Sequence, residues 1–330
     1  MTALVTGVTG FTGGHLARHL AHRGATVRGL VRPRSLGRPE VAALRDAAVE
    51  IIAGDLTDAA PVAAACQGVD VVYHIAATYR EAGQPDSAYR AINVQGVKHV
   101  IDGARAAGVR RVVHCSTGGV HGHIVDPPAN EDAPFNPGDV YQDSKLEGEQ
   151  LARAEGQAGG VEVVIARPIG IYGPGDMRFL KMFRGISRRR FPVLGSGEVF
   201  YHLTYIDDLC NGFRLCGEVA AAAGRTYILG GPRYTTLNTL VALIAAELKV
   251  KPLPVHLPVW PFWLAGAACE AICVPLRVQP PLYRRRVDFY TKSRAFDTTR
   301  ARTELGFAPA VDLPEGIRRT IAWYRAQGLL

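Results

Sequence analysis

Four residues that read as a buried strand, Ala3-Leu-Val-Thr6, run directly into glycines at positions 7, 10 and 13 and then into the apolar-periodic stretch Leu16 to Leu20. No other feature limits the fold as much, because strand, tight turn and helix must follow one another without a linker. In that order Gly7 permits the turn, Gly10 lets the backbone approach a pyrophosphate, and Gly13 lets the helix pack closely. The free N–H groups at the start of the helix then attract a phosphate. Thr9, Phe11 and Thr12 complete the loop, so Gly7 to Gly13 reads as a dinucleotide cradle, with the spacing G-x-x-G-x-x-G rather than G-x-G-x-x-G.

A second strand, Thr26 to Val31, ends at Arg32-Pro-Arg34. A chain selective for NAD usually places Asp or Glu at this edge to accept hydrogen bonds from the adenosine ribose. Arginines suit a ribose phosphate, which a carboxylate repels. Arg32 and Arg34 therefore favour NADP(H); NAD(H) is the alternative if they are only solvated loop charges. The third strand, Val49 to Ala53, closes on Gly54-Asp55-Leu56 and puts a carboxylate where an adenine amine is read. The fourth, Val69 to Ala77, ends in Ile75-Ala76-Ala77, small residues against which a flat cofactor can lie. Strands and helices alternate to about Ala166, which predicts an α/β fold with a Rossmann-type, doubly wound parallel sheet. Beyond Pro168 the turn signals Gly173-Pro-Gly-Asp176 and Gly195-Ser-Gly197 loosen the pattern. The expected organisation is a dinucleotide-binding domain over 1–168, its sheet completed at about 225–230, and a smaller, discontinuous substrate-binding lobe over most of 169–330.

Tyr141-Gln-Asp-Ser-Lys145 lies well downstream. Residues four apart stack on one face of a helix, so the Lys145 ammonium can favour the phenolate of Tyr141 and lower a value that starts near ~10. Such a hydroxyl gives or takes a proton near neutral pH. On any surface helix the same pair is an ordinary stabilising contact; the glycine loop upstream is what lends it a chemical meaning.

Gly7 to Gly13, Gly54-Asp55-Leu56, His74-Ile-Ala-Ala77, Asn93-Val-Gln-Gly96, Ser116-Thr117 through His121-Gly122, Tyr141 to Lys145, and Arg167-Pro168 through Tyr172-Gly-Pro-Gly175 occur in that order. Over essentially its whole length the chain resembles the extended short-chain dehydrogenase/reductases. The resemblance implies that Tyr141 is the catalytic acid/base, that Lys145 holds the nicotinamide ribose and tunes Tyr141, and that Thr117 orients the substrate oxygen, with Ser116 as the fallback. It places Asn93 and Pro168 in the cofactor site, and Tyr79, His121 and Tyr201 on the substrate side.

Substrate class divides this family. Sugar-nucleotide epimerases and dehydratases use the same catalytic set and commonly carry a pyrophosphate-binding arginine in a stretch resembling G-x-G-x-x-x-R-D-Y/F-x-x-V-x-D. Here Gly195-Ser-Gly-Glu-Val-Phe-Tyr201 puts Tyr201 at the arginine position, a costly loss of a charge-assisted contact unless Arg188 to Arg190 or Arg284 to Arg286 replaces it. His202 to Asp208 and the tail Pro280 to Pro309 look instead like the branch containing 3β-hydroxysteroid dehydrogenases and sterol-4-carboxylate 3-dehydrogenases. The activity this implies is reversible hydride transfer at a secondary alcohol or ketone of a bulky hydrophobic substrate. With a carboxylate beta to the new ketone, decarboxylation follows without another catalytic group. The alternatives are a nucleotide-sugar epimerase/dehydratase and a non-catalytic NADP-binding regulator.

Residues 259–276 are rich in apolar side chains, but Glu270 and two prolines interrupt them, whereas a membrane span needs about 20 uninterrupted apolar residues. Two placements suit the segment. It either roofs the substrate pocket with Trp260, Phe262, Trp263 and Leu264, or lies on a membrane surface with Trp260 and Trp263 at headgroup level and Arg284 to Arg286 beside acidic lipid. The net charge of +8 attracts anions generally, but no nucleic-acid motif accompanies it, so nucleic acid is discounted as a partner. The six cysteines are scattered, without a C-x-x-C or a histidine at metal-ligand spacing. They read as reduced thiols in a cytoplasmic protein, with no metal and with peripheral membrane association as the open variant. No signal peptide is read, because the first strand starts at once. A homodimer is implied only by the resemblance.

Overall fold

The computed structural model describes residues 1–79, 84–273, 276, 278, 284 and 287–330. β1 (Thr2–Thr6), β2 (Thr26–Val31), β3 (Val49–Ala53), β4 (Val71–His74), β5 (Arg111–Cys115), β6 (Glu162–Pro168) and a late strand, β11 (Thr226–Leu229), form a seven-stranded sheet in the order β11-β6-β5-β4-β1-β2-β3. Every neighbouring pair is parallel. Such strands are buried on both faces and so read as apolar runs. In β1, Ala3 and Val5 face one apolar cluster and Leu4 the other, the alternation a pleated strand imposes.

Helices α1 (Phe11–His22), α2 (Pro39–Asp46) and α8 (Ile206–Glu218) cover one face; α3 (Ala59–Ala65), α5 (Gly96–Ala106) and α6 (Val140–Gln157) cover the other. The short α4 (Asp86–Arg90) enters α5 through one wide turn at Ala91–Gln95. The chain winds outward from β1 to β3, then returns to lay β4 on the opposite side of β1. That reversal leaves a crevice at the carboxyl ends of β1 and β4, where open α/β sheets bind ligands. The fourth strand is shorter than the sequence suggests. It stops at His74, because the N–H groups of Ile75 and Ala76 turn to the Thr6 hydroxyl, both at 3.1 Å.

The remaining elements gather beside the carboxyl ends of the strands. Three two-stranded ribbons pair β7 (Ile171–Tyr172) with β10 (Thr204–Tyr205), β8 (Val193–Leu194) with β13 (His256–Leu257), and β9 (Phe200–His202) with β12 (Tyr234–Thr236). Helices α7 (Leu180–Ser187), α9 (Leu237–Leu248), α10 (Val259–Cys273), α11 (Asp288–Thr291), α12 (Thr299–Leu305) and α13 (Leu313–Ala326) complete the chain. The apolar cluster under α1 and α8 continues into α7, α9 and α13, so the C-terminal elements share a core with the sheet. None of the described helices is long and apolar enough to cross a membrane.

Two histidines inside the sheet predict an acid limit to stability. His74 and His114 are register partners on β4 and β5, fully buried, with rings 5.5 Å apart. Since the Thr6 hydroxyl already accepts two backbone N–H groups, its one proton goes to His74 Nδ1 at 2.9 Å. Burial lowers His74 to about 3 and holds His114 well below the usual histidine range. Both stay neutral in the folded protein, while an unfolded histidine protonates near ~6.5. Below that pH the unfolded chain binds more protons, so stability falls as pH drops from ~6.5 toward ~3, by up to ~1.4 kcal/mol per pH unit for each ring. Urea midpoints measured between pH 7 and 4.5 should decline accordingly, and His114→Phe should flatten the decline. A parent midpoint independent of pH would contradict this account.

Candidate functional site

The crevice opens into a cavity of about 980 Å³, at the upper end for small-molecule sites. Its floor is the glycine loop. Gly7 has φ +73°, and a Cβ there would lie 2.8 Å from the Ala76 backbone. A Cβ on Gly13 would lie 2.3 Å from the Gly7 carbonyl oxygen. Only hydrogen at these two positions lets β1, the loop and α1 meet this closely. Gly10 caps α1 with extended backbone, leaving the helix N–H groups aimed at the cavity. Thr9, Phe11 and Thr12 line the same wall, Ile75, Ala76 and Ala77 face it, and Asp55, Leu56 and Pro168 extend it. One Asp55 oxygen accepts from both the N–H and the hydroxyl of Thr57, at 3.1 and 3.0 Å.

Two residues assigned to the cofactor from sequence stand elsewhere. Arg32 lines the cavity but Arg34 does not; Arg38 takes the second place. The physical reason is the tight helical turn Pro33–Ser35, which rotates Arg34 away and brings the chain back at Arg38, the N-cap of α2. Arg38 also pairs with Glu40 at 2.9 Å, while Arg32 makes no ion pair among the described residues. Asn93 is fully buried behind the wall. Its amide accepts from Thr78 N–H at 2.8 Å and donates to Thr78 carbonyl at 3.1 Å and to Ser144 Oγ at 2.9 Å. It therefore positions the backbone after β4 and makes no part of the cavity surface.

Asp139 caps α6 by accepting from Gln142 N–H at 2.9 Å, which sets Tyr141 in the first turn and Lys145 one turn on. Both line the cavity, with Tyr79 edge-on to Tyr141 at 4.8 Å. Lys145 is buried and donates to the Cys115 carbonyl at 2.5 Å; burial lowers its proton affinity and pushes the Cys115 thiol up to about 11. Ser116 and Thr117 differ sharply. Ser116 is buried and donates to Glu149 Oε2 at 2.6 Å, whereas Thr117 Oγ1 accepts from Gly119 N–H at 3.0 Å and donates to no protein group among the described residues.

Beneath them lies a buried ion pair that sequence inspection did not single out. Arg167 and Glu149, each about 1% exposed, bond at 2.5 and 3.0 Å. Burial raises the Glu149 carboxyl, but Arg167, Ser116 and Arg153 outweigh it and hold the value below the usual carboxylate range. The available signal was spacing: Tyr141, Lys145 and Glu149 repeat every four residues on one helix. His121, expected on the substrate side, belongs to this network and does not line the cavity. Its Nε2 stands 3.0 Å from Arg167 Nη1 and its Nδ1 3.2 Å from the Pro134 carbonyl. Arginine only donates, so Nε2 accepts, Nδ1–H donates, and both nitrogens are occupied.

Phe191, Tyr201, Phe289 and Tyr290, together with Met182 and Phe296, also wall the cavity. Tyr201 is buried and its hydroxyl donates to the Phe289 carbonyl; burial raises its pKa. Trp260 and Trp263 do not line this wall. They stand 65% and 46% exposed on α10, where Gly266 is the one buried residue, and Phe262 and Leu264 are likewise absent from the lining, so α10 does not roof the cavity. Arg284 packs over the Trp263 ring at 5.7 Å and pairs with Glu270 at 2.6 Å. Arg285 and Arg286 lie outside the described residues. No cluster able to hold a metal ion occurs among the described residues.

Residues 3–230 match the NAD dependent epimerase/dehydratase family profile. The chain is 32% identical to sterol demethylase protein B of Methylococcus capsulatus, with 100% of both chains covered. It is 31% identical to the 2-alkyl-3-oxoalkanoate reductase of Stenotrophomonas maltophilia, covering 97% of this chain and 98% of that one. Among solved structures, gox2253 superposes with a TM-score of 0.84 at 29% identity, over 100% and 99% of the two chains. DesIV, a dTDP-glucose 4,6-dehydratase from Streptomyces venezuelae with NAD bound, superposes with a TM-score of 0.77 at 28% identity, over 99% and 97%.

Proposed function

The chain belongs to the NAD dependent epimerase/dehydratase family of extended short-chain dehydrogenase/reductases, and on that premise we propose that it interconverts a secondary alcohol and a ketone on a bulky hydrophobic substrate, preferring NADP(H). The observation that carries the substrate class is Tyr201. At the position where sugar-nucleotide enzymes commonly place a pyrophosphate arginine stands a buried ring whose hydroxyl is already bonded to Phe289, within an aromatic wall. Burial of an apolar ring system against that wall contributes ~25 cal/mol per Å², and a sugar diphosphate has little such area. The names of the sterol and oxoalkanoate relatives agree with this reading, while DesIV represents the nucleotide-sugar alternative.

In this reading residues 1–168 hold the dinucleotide and most of 169–330 shape the substrate end. The nicotinamide, when bound, supplies or accepts the hydride. Tyr141 exchanges the proton with the substrate oxygen, Thr117 donates a hydrogen bond to that oxygen, and Lys145 orients the ribose and biases Tyr141 toward the phenolate. Arg32 and Arg38 flank the adenosine ribose and favour its phosphate. The exposed apolar face of α10, with Arg284 beside it, supports peripheral contact with a membrane from which such a substrate is drawn.

Steady-state turnover with NADPH and NADH against ketosteroids, long-chain ketones and UDP- or dTDP-sugars tests this. Hydrophobic ketones should turn over, nucleotide sugars should not, and NADPH should outperform NADH. Arg32→Asp should narrow or invert the cofactor preference by replacing attraction with repulsion. Turnover of a nucleotide sugar would sink the substrate reading, and equal use of the two cofactors would sink the arginine assignment.

A further inference from the structure

Lys292, Arg294 and Phe296 all line the cavity, at the two-residue period of an extended segment. The chain here is held on both sides: Arg294 N–H donates to the Phe200 carbonyl at 2.8 Å, and Ala129 N–H donates to the Ala295 carbonyl at 3.0 Å. Arg294 bridges Tyr201 and Phe296 bridges Ala129. Phe296 abuts Gly118, where a Cβ would meet its ring at 3.4 Å, and Gly118 directly follows Thr117. The Arg294 backbone thus stands about 7 Å along the strand from Phe296, the residue packed against Gly118 beside Thr117. Its side chain shares that face.

Two of the neighbouring cations are already paired. Lys292 pairs with Asp288 at 2.8 Å and Arg178 with Asp176 at 2.6 Å. Lys181 has no ion pair among the described residues, but it is exposed on α7. Arg294 is part-buried and makes no ion pair among the described residues, in a wall it shares with Phe191, Phe289 and Tyr290. The Arg294 guanidinium is part-buried without a counter-charge, so an anion arriving with the ligand gains a charge-assisted contact there. The planar fork of arginine suits a carboxylate through paired hydrogen bonds.

We infer that Arg294 is a specificity residue that binds a carboxylate on the substrate, so that the substrate is an amphipathic hydroxy or oxo acid: apolar body on the aromatic wall, carbonyl at Tyr141 and Thr117, carboxylate at Arg294. This rests on the hydrophobic-substrate reading above and narrows it. A diphosphate would satisfy the same guanidinium, so the test separates the two anions.

Calorimetry on the NADP⁺-saturated protein uses 3-hydroxydodecanoate, its methyl ester and UDP. The acid should bind about tenfold or more tightly than the ester, Arg294→Gln should weaken the acid to the level of the ester, and Arg294→Lys should restore part of the difference. Turnover should show the same loss in KM rather than in kcat. Equal binding of acid and ester by the parent, or an acid preference that survives Arg294→Gln, overturns the inference while leaving the hydrophobic-substrate reading intact. Binding of UDP that disappears in Arg294→Gln assigns the residue to a diphosphate and overturns both. Binding of neither acid nor ester, with NADP⁺ still bound, likewise rejects both.

Discussion

Tyr141→Phe should leave dinucleotide binding intact and lower turnover by roughly 10²- to 10⁴-fold, the range set by loss of a positioned proton donor. The substitution deletes one oxygen and keeps the ring that packs against Tyr79 at 4.8 Å, so α6 and the cavity wall have no reason to move. Thr117 can still hold the substrate oxygen, since its hydroxyl donates to no protein group among the described residues, but its own proton is far too weakly acidic to replace the phenol. Lys145→Met is a different lesion. It removes the donor to the Cys115 carbonyl at 2.5 Å and the charge proposed to orient the ribose, so cofactor affinity and turnover should fall together. Titration of NADPH fluorescence alongside steady-state rates separates the two cases. Near-normal turnover by Tyr141→Phe on a true substrate would place the proton donor elsewhere.

Glu149→Leu should cost about 3–5 kcal/mol of stability, because it strands the Arg167 guanidinium in the interior. Arg167 and Glu149 are each about 1% exposed, and for hydrogen bonds Arg167 retains only the Glu131 carbonyl at 2.7 Å and His121 at 3.0 Å once the carboxylate is gone. Ser116 loses its acceptor as well. Because Cys115-Ser116-Thr117 carries both the carbonyl that holds Lys145 and the Thr117 hydroxyl, turnover should fall along with stability. Replacing both partners, Glu149→Leu with Arg167→Met, should recover much of the loss, as a buried pair exchanged for apolar groups often does. Urea unfolding of the parent, the single and the double variant is the measurement; a single variant within about 1 kcal/mol of the parent would refute the buried-charge argument.

Local order alone carried the fold. The strand, Gly7, Gly10, Gly13 and the helix that follows must touch, as the 2.3 Å approach of a Gly13 Cβ to the Gly7 carbonyl demonstrates, and few architectures meet that demand. Repetition of strand and helix to β6 then leads to the parallel sheet. Tyr141 and Lys145 were legible for the same reason: helical period sets both on one face, and both line the cavity.

Which side chains reach the cavity was decided only by the tertiary structure. Arg38 replaced Arg34 through a tight turn at Pro33–Ser35, and Asn93 and His121 withdrew behind the wall because all their polar atoms find partners inside. Trp260 and Trp263 were apolar enough to roof a pocket, yet α10 packs through Gly266 and leaves them exposed. Arg294 drew no notice in sequence because nothing about one arginine in a tail reveals that it will bridge Tyr201 and look into the cavity. Period and turn chemistry act over a few residues and can be read along the chain, whereas which side chain faces the cavity depends on packing between residues tens of positions apart, whose geometry no local pattern encodes.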